Sequence, residues 1–286
     1  KPLGTLGVEI TGVDVGRDLS GGNGDNLFGD IRQAWQEAGG LMVIRDQSID
    51  QQQHIDFSRR FGPLFHDDGQ PPLQDTVSRY LHPDYPQIYR VSNKVDAKGE
   101  PTGRKGAGTY WHSDVSFRDR PAQASILYAI QIPPYGGDTI FADMAAAYDA
   151  LSGGMKAMLG NLNAVHDFAV AAATQYAKPV VIDKDFDGAN QCVHPIVRTH
   201  ADTGRKSLYV NPGFTSHIEG FTAEESRPIL DHLYKHATQP EFLYRHAWQP
   251  HDILVWDNRT LMHYAVSDYA ADRYMERTTV IGERPV

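Results

Sequence analysis

Two imidazoles and one carboxylate can hold a divalent iron on one face and leave the opposite face open to oxygen chemistry. This chain offers such a set in His112 and Asp114, two residues apart, and in His263 much further on, with Arg273 and Arg277 close behind. An isolated His-x-Asp is weak evidence in a chain with 13 histidines. The pair therefore needs a third ligand, and elements that aim all three at one point.

The segment from Thr109 to Phe117 reads as a strand, in which His112 and Asp114 project from the same face. His263 follows the apolar run Ile253-Leu254-Val255-Trp256 and the polar turn Asp257-Asn258-Arg259, where a barrel delivers a side chain to its mouth. From Asp272 to Ile281, period two places Arg273, Met275, Arg277, Thr279 and Ile281 on one face. Asp272, Tyr274, Glu276, Thr278 and Val280 share the other. With that acidic face toward water, both arginines point inward. A buried guanidinium is costly unless it meets an anion, and its planar fork suits a carboxylate, sulfonate or phosphate. Two inward arginines ask for two anionic groups. The plainer alternative pairs Arg273 and Arg277 with Asp268 or Glu276 at the surface, but their place just after His263 favours the inward reading.

An ordered set of segments extends this pattern over nearly the whole chain. It comprises Pro2-Leu3-Gly4, Gly7 to Asp14, Phe57-Ser58-Arg59-Arg60-Phe61-Gly62, Trp111-His112-Ser113-Asp114, Gly136-Gly137-Asp138-Thr139, His194 to His200, Leu208 to Phe214 and Trp256-Asp257-Asn258-Arg259. In these the chain resembles the taurine dioxygenase family of Fe(II)/2-oxoglutarate-dependent oxygenases. The resemblance implies His112, Asp114 and His263 as iron ligands, with Fe(II), 2-oxoglutarate and O2 as the cofactor and cosubstrates. It implies Arg273 and the Thr139 hydroxyl for the far carboxylate of 2-oxoglutarate, and Arg277 for a substrate anion. The implied reaction hydroxylates a C–H bond while 2-oxoglutarate is converted to succinate and CO2. Hydroxylation beside a sulfur, oxygen or nitrogen leaving group would collapse to an aldehyde and a released fragment. Asp114 also separates the chain from halogenating relatives, which lack the carboxylate.

Phe168, His66, Asn93 and Tyr110 are the candidates to line the substrate pocket beside Arg277. Phe168, in His166-Asp167-Phe168, stands where the family's substrate-facing aromatic does. Gly108-Thr109-Tyr110 departs from taurine-specific relatives, which carry an asparagine just before the Trp-His pair, and this counts against taurine itself. The expected partner is a small anion: a sulfonate, alkyl sulfate, aryloxyalkanoate or amino-acid-like carboxylate. A noncatalytic jelly-roll binding protein that keeps the metal for structure or sensing is the alternative, although it would have no need of the Arg273 and Thr139 clamp.

The elements that must position these residues are legible in outline. Leu27, Phe28, Ile31, Ala34, Trp35 and Ala38 recur at helical spacing and stop at Gly39-Gly40, and the strand Leu41 to Ile44 follows. Asp50 is a candidate cap for a helix through Phe61, and Thr222 with Glu225 forms a capping box ahead of Ile229, Leu230, Leu233 and Tyr234. Ala124 to Ile130 and Leu208 to Val210 read as short buried strands. The expected class is mainly β with flanking helices, and the resemblance supplies its topology, a double-stranded β-helix or jelly roll. His54, His232, His236, His246 and His251 are placed on helix surfaces or loops. The polar stretches 94–108 and 171–190 are candidate lids.

With 41% hydrophobic residues in 286, the chain can bury a large core, and without a visible linker or repeat it reads as one dioxygenase domain over 1–286. Its net charge of −9 argues against a nucleic-acid surface. No apolar run approaches the ~20 residues that span a bilayer, and no signal peptide is visible. The single Cys192 suits a reducing cytoplasm. A homo-oligomer is the expected assembly.

Overall fold

The computed structural model describes residues 1–19, 24–67, 79–175 and 190–286. Its backbone is a six-stranded sheet in the order β1-β2-β12-β4-β14-β3. The strands are β1 (Val8–Ile10), β2 (Leu41–Ile44), β3 (Tyr89–Ser92), β4 (Ala122–Gln131), β12 (Ile253–Asp257) and β14 (Tyr274–Ile281). β1 runs parallel to β2, and every other neighbour is antiparallel. A three-stranded sheet, β11 (Leu243–His246), β5 (Thr139–Asp143) and β13 (Leu261–Ala265), covers one of its faces. A second small sheet joins β10 (Thr215–Ile218), β6 (Asn163–Asp167) and β7 (Gln191–Pro195), and β8 (Val197–Thr199) pairs with β9 (Lys206–Leu208). The result is a mainly β, jelly-roll architecture.

Alternation along the strands sorts residues to the two faces of the large sheet. Leu41, Val43, Leu127, Leu254, Trp256 and Met275 turn inward and pack with Phe141 and Leu261 of the small sheet. Met42, Ile44, Ile126, Tyr128, Ile253, Val255 and Val280 turn the other way, beneath helices α1 (Gly24–Glu37) and α2 (Gln51–Arg59). Those helices present Phe28, Ile31, Trp35, Ile55 and Phe57, so the middle of the sheet is buried on both faces and its strands β2 and β12 are apolar almost throughout. The remaining described helices are α3 (Met144–Asp149), α4 (Gly153–Leu159), α5 (Phe168–Gln175) and α6 (Ala223–Ala237). None is long and apolar enough to cross a membrane.

The helix signals are realised with small shifts. α2 starts with a full capping box between Asp50 and Gln53 but ends at Arg59, two residues short of the expected Phe61. α6 begins with the Thr222 and Glu225 box. α1 stops before Gly39 and Gly40, whose φ values of 81° and 86° suit glycine, and a Cβ at Gly40 would lie 2.6 Å from that of Asp257. That close approach seats the end of β12 against the helix stop.

Three expectations are corrected. The segment 109–117 is not a strand: His112 makes one isolated bridge to His263, and the chain then turns from Asp114 through Phe117, with Val115 at φ 57°. The face of β14 that carries Glu276 is not in water, because α2 lies over it. Glu276 is buried, accepting from the Tyr274 hydroxyl at 2.8 Å and from Gln51, while Thr278 meets Ser58. His54 and His246 are interior residues rather than surface ones, and His54 Nε2 lies 3.3 Å from the Ile126 carbonyl. Of the two candidate lids, 94–108 is tied to β3 through Arg104 N–H to Arg90 O and Ser92 N–H to Arg104 O. Residues 171–175 belong to α5, and 176–189 lie outside the described residues.

Candidate metal centre

The three sequence-predicted ligands meet at one point. One candidate donor atom each from His112, Asp114 and His263 lies within 4.8 Å of the others, and no other such group occurs among the described residues. His112 Nε2 is 3.7 Å from Asp114 Oδ1, and His263 Nε2 is 3.8 Å from Asp114 Oδ2. Paired backbone hydrogen bonds between His112 and His263, 3.0 and 2.8 Å, bring the two imidazoles side by side with centroids 4.1 Å apart and ring planes tilted by 43°. The Tyr110 carbonyl lies 2.8 Å from His112 Nδ1, which directs Nε2 toward the carboxylate. His263 packs between Phe141 and Trp256. Burial, then the neighbouring His112, lowers its pKa well below the usual imidazole range, so it stays neutral and ready to donate a lone pair.

Burial alone would raise the Asp114 carboxyl. The Arg277 guanidinium, followed by the two histidines, outweighs it and holds the group well below the usual carboxylate range. Arg277 Nη1 donates to Asp114 Oδ1 at 2.8 Å. The guanidinium also stands over the Tyr89 ring at 5.2 Å, and its Nε has no hydrogen-bond partner.

Arg273 lies just before β14 and is 4% exposed. Its backbone N–H donates to Asn93 Oδ1 at 2.8 Å, and its Nη2 donates to the Gly137 carbonyl at 3.3 Å. Its Nε finds no acceptor. Burial lowers this guanidinium from its ordinary range, with Tyr269 and Asp138 pulling the other way. A cation this buried, with an Nε that no acceptor meets, is suited to receive an anion.

Both arginines and all three candidate ligands line one cavity of about 110 Å³. Thr139 lines it too, with its hydroxyl accepting from Trp248 Nε1 at 3.0 Å, and so do Tyr110 and Phe168. His66 and Asn93 do not line this cavity. His66 adopts φ 70° and lies half-buried near Arg118, whose charge lowers its pKa after burial does. Asn93 spends both ends of its amide on the 271–273 backbone, so it braces the Arg273 segment instead.

The structure adds residues that sequence reasoning missed. Phe117 and Phe214 complete an aromatic wall with Phe168, at centroid separations of 5.0 and 5.2 Å from Phe117. Arg104 brings a third guanidinium to the cavity. Ser125 and Asn258 hold Asp114 from behind. Of these, Asn258 and Phe214 carried a signal, their places in Trp256-Asp257-Asn258-Arg259 and in Leu208 to Phe214. Gly108 and Gly213 let the chain pass close: a Cβ would fall 2.8 Å from His112 Cε1 at Gly108 and 2.6 Å from Tyr110 Cε2 at Gly213.

Comparison with known proteins accords with this geometry. The family model described as taurine catabolism dioxygenase TauD, TfdA family matches residues 1–279. An alpha-ketoglutarate-dependent 2,4-dichlorophenoxyacetate dioxygenase from Burkholderia sp. (strain RASC) is 38% identical over 254 residues, covering 85% of this chain and 82% of that protein. A protein of the same name from Cupriavidus pinatubonensis is 36% identical over 296 residues, covering 100% of this chain and 97% of its own length. The crystal structure of a taurine dioxygenase from Burkholderia xenovorans superposes with a TM-score of 0.77 at 34% identity, covering 98% of this chain and 88% of that one. With the donor set, the jelly roll and a match running almost end to end, the chain belongs to the taurine catabolism dioxygenase TauD/TfdA family.

Proposed function

We infer that this protein oxidises a C–H bond of a small aromatic or otherwise apolar carboxylate of the aryloxyalkanoate type. The chain is an Fe(II)- and 2-oxoglutarate-dependent dioxygenase. Bound together, Fe(II) and 2-oxoglutarate supply an oxidant from O2 as 2-oxoglutarate is converted to succinate and CO2. His112, Asp114 and His263 hold the iron. Arg273, with the Thr139 hydroxyl at its side, takes the far carboxylate of 2-oxoglutarate, which the unmatched Nε of this buried guanidinium favours. Arg277 takes the substrate's anionic group.

The observation that carries the substrate class is the cavity wall. Apart from the arginines and ligands it is dominated by Tyr89, Tyr110, Phe117, Phe168, Phe214 and Trp256, which suits a flat apolar body with one anionic end better than a short polar sulfonate. With its anion on Arg277, the carbon beside the ether oxygen is the one brought toward the ligand set. Hydroxylation there gives a hemiacetal-type adduct that breaks its C–O bond to a phenol and an oxo acid. The match across residues 1–279 supports one dioxygenase domain, and the lone Cys192 accords with action in the cytoplasm.

The test is direct. Fe(II) and 2-oxoglutarate are added without oxygen and the weak visible charge-transfer absorption recorded. Oxygen is then admitted and succinate followed across aryloxyacetates, aryloxypropionates, alkyl sulfates, sulfonates and amino acids. Succinate coupled to phenol release with an aryloxyalkanoate is expected. Coupling only to sulfates or sulfonates would overturn the substrate class, and no band with no succinate would overturn the activity.

The close passage at Gly108 gives a second expected result. Gly108→Ala places a methyl group against the His112 ring at a position of φ 72°, so the metal ligand must move. Mn(II) binding should weaken by ~10-fold or more, as disturbing the support of a metal ligand commonly does. Calorimetric titration of the metal-free protein measures it, and an unchanged affinity would remove the ligand role of His112.

A further inference from the structure

The carboxylate of Asp114 is not aimed by a strand, because the chain turns at this residue and Val115 adopts φ 57°. Its orientation comes from side chains instead. Arg277 holds Oδ1, and the Ser125 hydroxyl lies 2.7 Å from Oδ2. Ser125 Oγ accepts a hydrogen bond from Asn258 Nδ2 at 3.0 Å. An ionised carboxylate can only accept, so the one proton of the serine goes to Oδ2.

The amide of Asn258 is oriented just as firmly. Its Oδ1 accepts from the Asp114 backbone N–H and from Trp256 Nε1, both at 3.1 Å, which leaves its NH2 facing Ser125. The Asn258 carbonyl accepts from Ser113 Oγ at 2.7 Å. Ser125 and Asn258 are 0% and 1% exposed, so water does not compete. In the large sheet Ser125 stands opposite Trp256 on one side and Thr279 on the other, which makes it a fixed point of the scaffold. Asn258 lies between β12 and β13, and the latter carries His263.

We propose that Ser125 and Asn258 are positioning residues for the metal centre: a one-directional relay, Asn258 NH2 to Ser125 OH to Asp114 Oδ2, locks the carboxylate in the orientation that meets both imidazoles. This rests on the reading of His112, Asp114 and His263 as the iron ligands. A carboxylate freed from Ser125 can rotate, and must be reordered when metal arrives. The relay therefore raises metal affinity by ordering the ligand beforehand. Asn258 also couples the turn of the first two ligands to the strand of the third, a tie between chain segments that the sequence leaves far apart.

Anaerobic titration of the metal-free full chain with Co(II), followed by its visible d–d absorption, tests the proposal. Wild type, Ser125→Ala and Asp114→Ala are compared, and the melting temperature of each metal-free protein is recorded. Ser125→Ala should weaken Co(II) binding by ~10-fold and alter the band shape, within the range for supporting partners of metal ligands. A fall in melting temperature with an unchanged dissociation constant and unchanged spectrum would reduce Ser125 to a packing role and overturn the proposal. If wild type and Asp114→Ala bind Co(II) alike, the ligand assignment itself fails, which is a different outcome. Should Ser125→Ala not fold, Ser125→Cys keeps the side-chain shape with a much weaker donor. Wild-type affinity in that variant would overturn the relay, and a several-fold loss would support it.

Discussion

Replacing Arg273 by Ala is expected to raise the 2-oxoglutarate concentration required for half-maximal succinate formation by ~100-fold or more, with a much smaller change in the requirement for the oxidised substrate. Arg273 is buried, its Nε has no acceptor, and its Nη2 reaches the Gly137 carbonyl only at 3.3 Å. A carboxylate docking there would be desolvated and doubly hydrogen-bonded, and truncating one partner of such a pair typically costs ~2–5 kcal/mol. Arg277→Ala should do the reverse, acting chiefly on the substrate. It carries a second cost, because Arg277 also donates to Asp114 Oδ1. Without that charge the Asp114 carboxyl rises toward its ordinary range, so metal binding by Arg277→Ala should also need a higher pH than in the wild type. Steady-state titration of each cosubstrate at saturating levels of the other measures the division. Equal losses for both ligands in both variants would defeat the assignment of one arginine to each anion.

Acid should unfold the metal-free protein well before its surface carboxylates are exhausted. His54, His166 and His194 are buried, and burial lowers their pKa values from 6.5 to about 4, 3 and 4. In the unfolded chain each takes up a proton near pH 6.5. Between that value and the folded ones, the unfolded state binds more protons than the folded state. Stability therefore falls as pH falls through this window, at up to ~1.4 kcal/mol per group per pH unit. Three groups together remove on the order of 5 kcal/mol between pH 6.5 and 4.5, a large part of a typical domain's stability. Asp257 adds to the same trend at lower pH. Although burial opposes it, Arg259 and His200 depress its pKa, and the stability this gives is lost as the carboxyl protonates. Urea unfolding of the chelator-treated protein at pH 7, 5.5 and 4.5 measures the slope. A flat profile would mean that the three imidazoles charge without unfolding the chain. His166 should carry the loss to the lowest pH of the three, since its ring lies 5.3 Å from that of His194 and protonating one disfavours protonating the other.

The residue types and their order carried most of the chemistry. His112, Asp114 and His263 are a candidate ligand set by their donor atoms, and period two along 272–281 puts Arg273 and Arg277 with Met275 on the inner face, where the fold has them. The capping boxes at Asp50 and Thr222 and the stop at Gly39-Gly40 were legible because helix ends are decided by residues a few positions apart. The outer face of the large sheet is not legible, for the opposite reason. Period two tells which residues share a face but not what covers it, and Glu276 is buried because α2 lies over it. His54 is interior on the same ground.

What the sequence by itself determined is the inventory: the three donors, the two inward arginines, the family pattern and the periods that build strands and helices. Tertiary structure alone decided how the ligand pair is aimed, because no local rule holds His112 and Asp114 together across a turn. That work falls to the bridge from His263 and to Ser125 and Asn258, 11 and 144 residues from Asp114 along the chain. Tertiary structure likewise decided that Phe117, Phe168 and Phe214 form one wall, that His66 and Asn93 stand outside it, and that Arg277 already engages Asp114. The physical reason is common to all of these. Donor chemistry and periodicity are local properties of the chain, whereas the direction of a buried side chain is set by whichever distant groups satisfy its hydrogen bonds and charge.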